Sequence, residues 1–142
     1  MTENASVANM LARDEFSRWL GVELIEVSAG HCTLRMQVRE DMVNGFGVAH
    51  GGIAFSLADS AMAFACNGGA TVTVAVDNAI SYPAAILAGD VLVAVAEEES
   101  ASRRLAYYRV TVRRTDEAVV ALFRGTVYRT QQPHAISADT HD

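Results

Sequence analysis

Positive charge is scarce in this chain. Its 142 residues carry a formal net charge of −6, and the few basic side chains are spread out. That argues against nucleic acid or an anionic membrane as the main partner. An acidic surface does not forbid a phosphorylated ligand, which would need a local cationic patch. No apolar run is long enough to span a bilayer. The first residues, M-T-E-N-A-S, lack the charged and apolar regions of a signal peptide, so a cytoplasmic protein is expected. Cysteine is also rare. Cys32 and Cys66 fall in apolar contexts without metal-ligand spacing and read as reduced core thiols. With only scattered histidines beside them, no metal ligand set is visible. There are no internal repeats and no sign of a second domain.

What is present suits one domain with a sizeable core, since 51% of the residues are hydrophobic. The most informative stretch runs from Asn44 to Asn67. It opens as a glycine-rich loop and becomes an apolar segment whose only polar side chains from Ile53 to Cys66 are Ser56, Asp59 and Ser60. Ala, Leu, Met and Phe dominate it and β-branched residues are few, so the segment reads as a helix. Apolar residues on nearly every face predict a helix wrapped by other structure.

Asp59 in its middle has two readings. With Ser56 and Ser60 it forms an i, i+3, i+4 face that could simply meet water. Alternatively it lines a pocket, where partial burial without a cation raises its pKa and makes it a better base. No Lys or Arg lies between Asp41 and Arg103 to supply a local cation. His50-Gly51-Gly52 falls where the helix should begin. The first turn of a helix has unpaired N–H groups at a positive dipole end, and glycine lets a ligand oxygen approach them. A carbonyl resting there would be polarised. Asp59 is two turns further on, about 10–12 Å of rise from Gly51. One carbonyl cannot easily bridge that gap on a single helix, so a site using both groups points to two chains.

The rest of the chain reads as strands behind a helical start. Residues 1–21 form an N-terminal helical segment. Val7, Met10 and Leu11 lie on one side; Asp14 is the expected N-cap of a second short helix, and Gly21 its end. Phe16, Trp19 and Leu20 are expected to make its packing face. From Val22 the period is two. Strands are expected over Val22–Ser28, His31–Val38, Thr71–Ile80, Val91–Glu98, Leu105–Arg114 and Ala118–Thr130. The main domain therefore covers 22–130, and 131–142 reads as a frayed polar tail. One long helix plus five or six mostly antiparallel strands makes an α+β domain. A curled sheet around that helix explains why the helix is apolar all round.

Asn44-Gly45, His50-Gly51-Gly52, Ala58-Asp59, Ala63-Phe64-Ala65-Cys66-Asn67 and the late Leu122-Phe123-Arg124-Gly125 resemble the hotdog-fold acyl-CoA thioesterases. The phenylacetic-acid-degradation (PaaI-type) branch is the nearest, and the resemblance runs from about Phe16 to Tyr128. It implies the hotdog fold, a curled antiparallel β-sheet around one central α-helix, in homodimers that assemble into homotetramers. It implies hydrolysis of an acyl-CoA, aryl-acetyl or similar, with Asp59 as general base or nucleophile. The Gly51 N–H would polarise the carbonyl, while Asn44 and His50 would shape the site. No separate cofactor is implied, coenzyme A being part of the substrate.

Each companion has a plainer alternative. Asn44-Gly45 is also a turn pair, and His50 a helix-entry residue. Ser60 is filler or places water. Gly52 adds backbone access for the substrate. Phe46 and Phe55 line an acyl pocket or pack the core. Arg103 and Arg104 suit the phosphates of the nucleotide or form a solvated turn. Many relatives carry an arginine before the Gly89-Asp90 turn, and this chain has none. The apolar loop Phe46–Ala49 leans toward an apolar or aromatic acyl group. Two other readings compete on the same fold. A non-catalytic acyl-CoA-binding sensor would lack the helix carboxylate or add a DNA-binding segment. A hydratase would place its His and carboxylate differently.

Overall fold

The computed structural model describes residues 5–134. The expected tail beyond 134 lies outside the described residues. Helices α1 (Ala5–Arg13) and α2 (Glu15–Leu20) lead into strands β1 (Glu23–Ser28) and β2 (His31–Gln37). A single 3₁₀ turn at Glu40–Met42 precedes the long helix α3 (Gly51–Cys66). Strands β3 (Thr71–Ser81), β4 (Val91–Ala101), β5 (Leu105–Arg114) and β6 (Val119–Pro133) follow. All pairings are antiparallel, in the order β1-β2-β4-β5-β6-β3. The sheet curls over α3, which packs mainly on β2, β4 and β5. This is the α+β hotdog architecture that the pattern and the resemblance predicted.

Alternation decides which face is buried. On β2, Cys32, Leu34 and Met36 point into the core, and on β5, Ala106, Tyr108, Val110 and Val112 do the same. They meet Ile53, Ala54, Leu57, Ala58, Ala61, Met62, Phe64 and Ala65 of α3. An apolar area of this kind stabilises by roughly 25 cal/mol per Å² removed from water, which holds a helix of weak amphipathicity in place.

The N-terminal segment departs from expectation in one respect. Asp14 caps α2, its Oδ1 accepting from the Ser17 N–H at 2.9 Å, and Gly21 ends it at φ +83°. Yet Phe16 and Trp19 are 54% and 48% exposed, so they are not its buried face. Ser17 and Leu20 are buried instead. The two rings stack on each other at 5.9 Å, and the Arg39 guanidinium lies 4.9 Å over Trp19. A six-residue helix has room to bury only one narrow edge.

Two strand ends are also longer than expected. β4 continues to Ala101, and β6 runs to Pro133, which pairs with Thr71. Gln131–Pro133 thus belong to the sheet rather than to the tail. The edge strand β3 is poorly covered, with Val74 and Val76 43% and 58% exposed. Its pairing with β6 slips between Ala75 and Asp77 at a β-bulge.

Candidate active site

The loop before α3 is built by Asn44. Its Oδ1 accepts from the N–H groups of Phe46 (2.8 Å) and Val48 (3.4 Å), and its own N–H donates to the Val48 carbonyl (2.8 Å). Gly47 turns the loop at φ +84°. The Asn44 Oδ1 is spent on backbone and shapes the loop, while its Nδ2 has no hydrogen-bond partner among the described residues. Phe46 stands at the loop tip, 93% exposed within this chain. Phe55 instead packs edge-on against Phe123, with ring centroids 5.4 Å apart.

His50 is the N-cap of α3. Its Nδ1 accepts from the Gly52 N–H at 2.8 Å, and its carbonyl accepts from Ile53. That satisfies the Gly52 donor, so only Gly51 offers a free one: among the described residues its N–H has no hydrogen-bond partner. Tyr82, which follows β3, donates its hydroxyl to the Gly51 carbonyl at 2.8 Å. The fit is close, for a Cβ on Gly51 would stand 3.0 Å from that hydroxyl. A cleft of about 350 Å³ opens here, lined by Val48, His50, Gly51, Ala54, Tyr82 and Ile86. An unpartnered N–H at a helix start, beside an apolar cleft, is a site for a carbonyl oxygen.

Asp59 lies two turns along α3 and is half-buried. Its Oδ1 accepts from Asn78 Nδ2 of β3 at 3.2 Å. Burial holds its pKa above the ordinary carboxylate value; the Asn78 bond opposes that shift and the charge of Asp14 adds to it. Among the described residues no cation pairs with it. The carboxylate is therefore a stronger base than a free one. Ser60, next in sequence, is buried and turned away. Its hydroxyl shares a 2.7 Å hydrogen bond with Ser17, whose hydroxyl also donates to Asp14 at 2.7 Å. Ser60 thus ties α3 to α2 and does not face the cleft.

Arg103 and Arg104 occupy the turn between β4 and β5. Arg104 donates to the Tyr128 hydroxyl at 3.0 Å, while Arg103 has no partner among the described residues. Tyr128 is three positions along β6 from Gly125, about 10 Å of strand rise. The structure therefore groups Asn44, Phe46, His50, Gly51 and Gly52 at one end of α3 and keeps Asp59 apart from them. Tyr82 and Asn78 are additions to the set. Tyr82 left no signal beyond marking a strand end. Asn78 left a weak one, since Asp77-Asn78 is a poor β-forming pair inside a strand. Among the described residues no three His, Cys, Asp or Glu side chains are grouped as a metal ion requires.

The thioesterase superfamily model matches residues 46–121, which span the loop, α3 and most of the sheet. The chain belongs to the thioesterase superfamily. It is 34% identical over 120 residues to the acyl-coenzyme A thioesterase PaaI of Escherichia coli K12, covering 84% of this chain and 86% of that one. The structure of the E. coli PaaI protein from the phenylacetic acid degradation operon superposes with a TM-score of 0.87 at 32% identity, over 90% and 93% of the two chains. A substituted form of the phenylacetic acid degradation protein PaaI from Thermus thermophilus gives 0.79 at 39% identity, over 82% and 100%. As a member of this superfamily the chain is a thioester hydrolase on the hotdog fold, of the PaaI type. No described helix is long and apolar enough to cross a membrane.

Proposed function

We propose that this thioesterase hydrolyses acyl-CoA, with an aryl-acetyl group such as phenylacetyl as the acyl part, at a site shared by two chains. The observation that carries the reading is the pairing of a half-buried, cation-free Asp59 with an unpartnered Gly51 N–H on the same helix. Their separation is about 12 Å of helix rise, too far for both to serve one carbonyl from one chain. A second copy supplies the missing half. The exposed edge strand β3, with Val74 and Val76 uncovered, supports a homodimer in which two sheets join edge to edge. A further pairing gives the homotetramer. The names of the E. coli relatives, an acyl-coenzyme A thioesterase from a phenylacetic acid degradation operon, support the substrate class.

The chemistry then follows from the groups present. The thioester carbonyl oxygen rests on the Gly51 N–H of one chain. Water attacks the carbonyl carbon as Asp59 of the other chain takes its proton. The tetrahedral oxyanion keeps its bond to Gly51, the C–S bond breaks, and the sulfur leaves as the coenzyme A thiol with a proton. In the nucleophilic variant an Asp59 oxygen attacks first, and water cleaves the resulting anhydride. The Phe46 loop and the Tyr82 cleft hold the acyl group, with Gly52 giving close backbone access. Arg103 and Arg104 take the phosphates, since their free donors suit anionic oxygens. Water is the only co-reactant, coenzyme A enters with the substrate, and the working compartment is the cytoplasm.

Release of free thiol from a panel of acyl-CoA esters tests the reading, with wild type and Asp59→Asn side by side. Turnover of phenylacetyl- or hydroxyphenylacetyl-CoA that falls at least about a hundredfold in the variant is expected. Tight binding without turnover in wild type would favour the sensor. Unchanged turnover in Asp59→Asn would move the role to another carboxylate.

A further inference from the structure

Asn78 is an unfavourable residue for its position. It lies on β3, opposite Gly125 of β6, and therefore faces α3. Its Oδ1 is buried and has no partner among the described residues. A buried carbonyl oxygen without a donor costs stability that an apolar side chain of similar size would not. The other end of the same amide makes one bond, Nδ2 to Asp59 Oδ1 at 3.2 Å. The space that admits the amide is left by Gly125, where a Cβ would stand 2.8 Å from Asn78 Oδ1.

A β-bulge brings Asn78 to this face. Thr73 and Ala75 oppose Arg129 and Val127, and two-residue alternation would carry the same side on to Asp77. The slip between Ala75 and Asp77 reverses the phase, so Asn78 rather than Asp77 looks inward. The titratable groups that reach Asp59 are Asp14, ahead of α2, and Cys66, one end of α3. Neither supplies a hydrogen-bond donor to it, and β6 presents Gly125. Asn78 is thus the one side chain among the described residues that fixes the direction of the Asp59 carboxylate.

We propose that Asn78 is a positioning residue for Asp59. It ties down Oδ1 and leaves Oδ2 to take the proton of the attacking water or to attack. The proposal rests on Asp59 being the base or nucleophile, and it adds that the edge strand β3, through its bulge, sets that group's orientation and acidity. An amide donor suits the ionised form of Asp59, so losing it makes the carboxylate easier to protonate.

The test follows the Asp59 side-chain carboxyl by carbon-detected NMR titration in the full chain, for wild type, Asn78→Ala and Asn78→Asp. The same three proteins are assayed for kcat and KM across pH. The expected titration midpoints rise in the order wild type, Asn78→Ala, Asn78→Asp, because the last sets a second carboxylate against the first. The acid limb of the activity profile should move the same way. For Asn78→Ala, kcat should fall about tenfold or more with KM within about twofold, as expected of a misdirected group rather than a lost contact. Asn78→Asp keeps the size of the side chain and serves if the alanine variant does not fold. Unmoved midpoints, or an alanine variant with wild-type kcat, would overturn the proposal. Full activity in Asp59→Asn would remove the hydrolytic role of Asp59, while the order of midpoints would still decide whether Asn78 holds it.

Discussion

Gly125→Ala is a small change with a computable consequence. The residue sits within β6 on the face toward α3, opposite Asn78. A methyl group there would overlap the Met62 sulfur and stand 2.8 Å from both Met62 Cε and Asn78 Oδ1. The Met62 chain is flexible, but it is 1% exposed, so its tip has to move within a packed core. Overpacking of this kind costs about 1–3 kcal/mol. Alanine recovers about 0.5 kcal/mol over glycine in backbone freedom. The net loss of about 0.5–2.5 kcal/mol corresponds to roughly 2–10 °C in Tm. Thermal unfolding followed by circular dichroism reads it directly. Met62→Ala opens the space the new methyl needs, so the double variant should be more stable than the two single losses added together, by about 1 kcal/mol. Because the methyl also presses on Asn78, kcat should fall in Gly125→Ala. A variant with Tm within about 1 °C of wild type and no coupling to Met62 would refute the packing described here.

Asp59→Asn should behave in the opposite sense. The folded state holds the Asp59 pKa above its unfolded value, so it binds the proton more tightly than the unfolded chain does. The stability this confers is present below about pH 4 and lost as pH rises through the raised value. The substitution should therefore increase Tm by a few degrees at neutral pH and add nothing in acid; a decrease at neutral pH would show a structural ion pair instead. His50→Ala removes the cap on the Gly52 N–H and should cost about 1 kcal/mol, most of it restored by His50→Asn. Equal melting temperatures of the two variants would count against the cap. Replacing Arg103 and Arg104 with alanine should raise KM for an acyl-CoA several-fold but leave KM for the same acyl group on N-acetylcysteamine unchanged. A parallel rise for both substrates would place those arginines outside the nucleotide contact.

The fold was legible because its signals are periodic. The two-residue alternation of β2 and β5 and the apolar helix from Ile53 to Cys66 each demand one packing solution. The helix start was equally readable, since His50-Gly51-Gly52 carries its own capping chemistry. Less could be read where the outcome depended on a contact between distant segments. Ser60 is a neighbour of Asp59 in sequence, but its hydroxyl is bonded to Ser17 of α2. Phe16 and Trp19 looked like a buried face, but α2 is too short to bury more than Ser17 and Leu20. The bulge in β3 could not be foreseen from alternation, because it is defined by pairing with β6. For that reason alternation alone does not bring Asn78 to the inner face. Tyr82 is silent in the sequence for a related cause: its partner is a backbone carbonyl on another element.

The proposed active site takes Gly51 from one chain and Asp59 from another. Two inactive variants test it when mixed. Asp59→Asn removes the carboxylate, and Gly51→Pro removes the N–H at the first helical position, where proline suits the backbone and the exposed Tyr82 side chain has to give by a few tenths of an ångström. Equal amounts are unfolded and refolded together, and thiol release from phenylacetyl-CoA is measured. In a shared-site dimer, half the reassorted dimers are mixed and each carries one complete site, so about a quarter of wild-type activity should return. If the mixture stays as inactive as either variant alone while the dimers have exchanged, the site does not span two chains and the account is wrong.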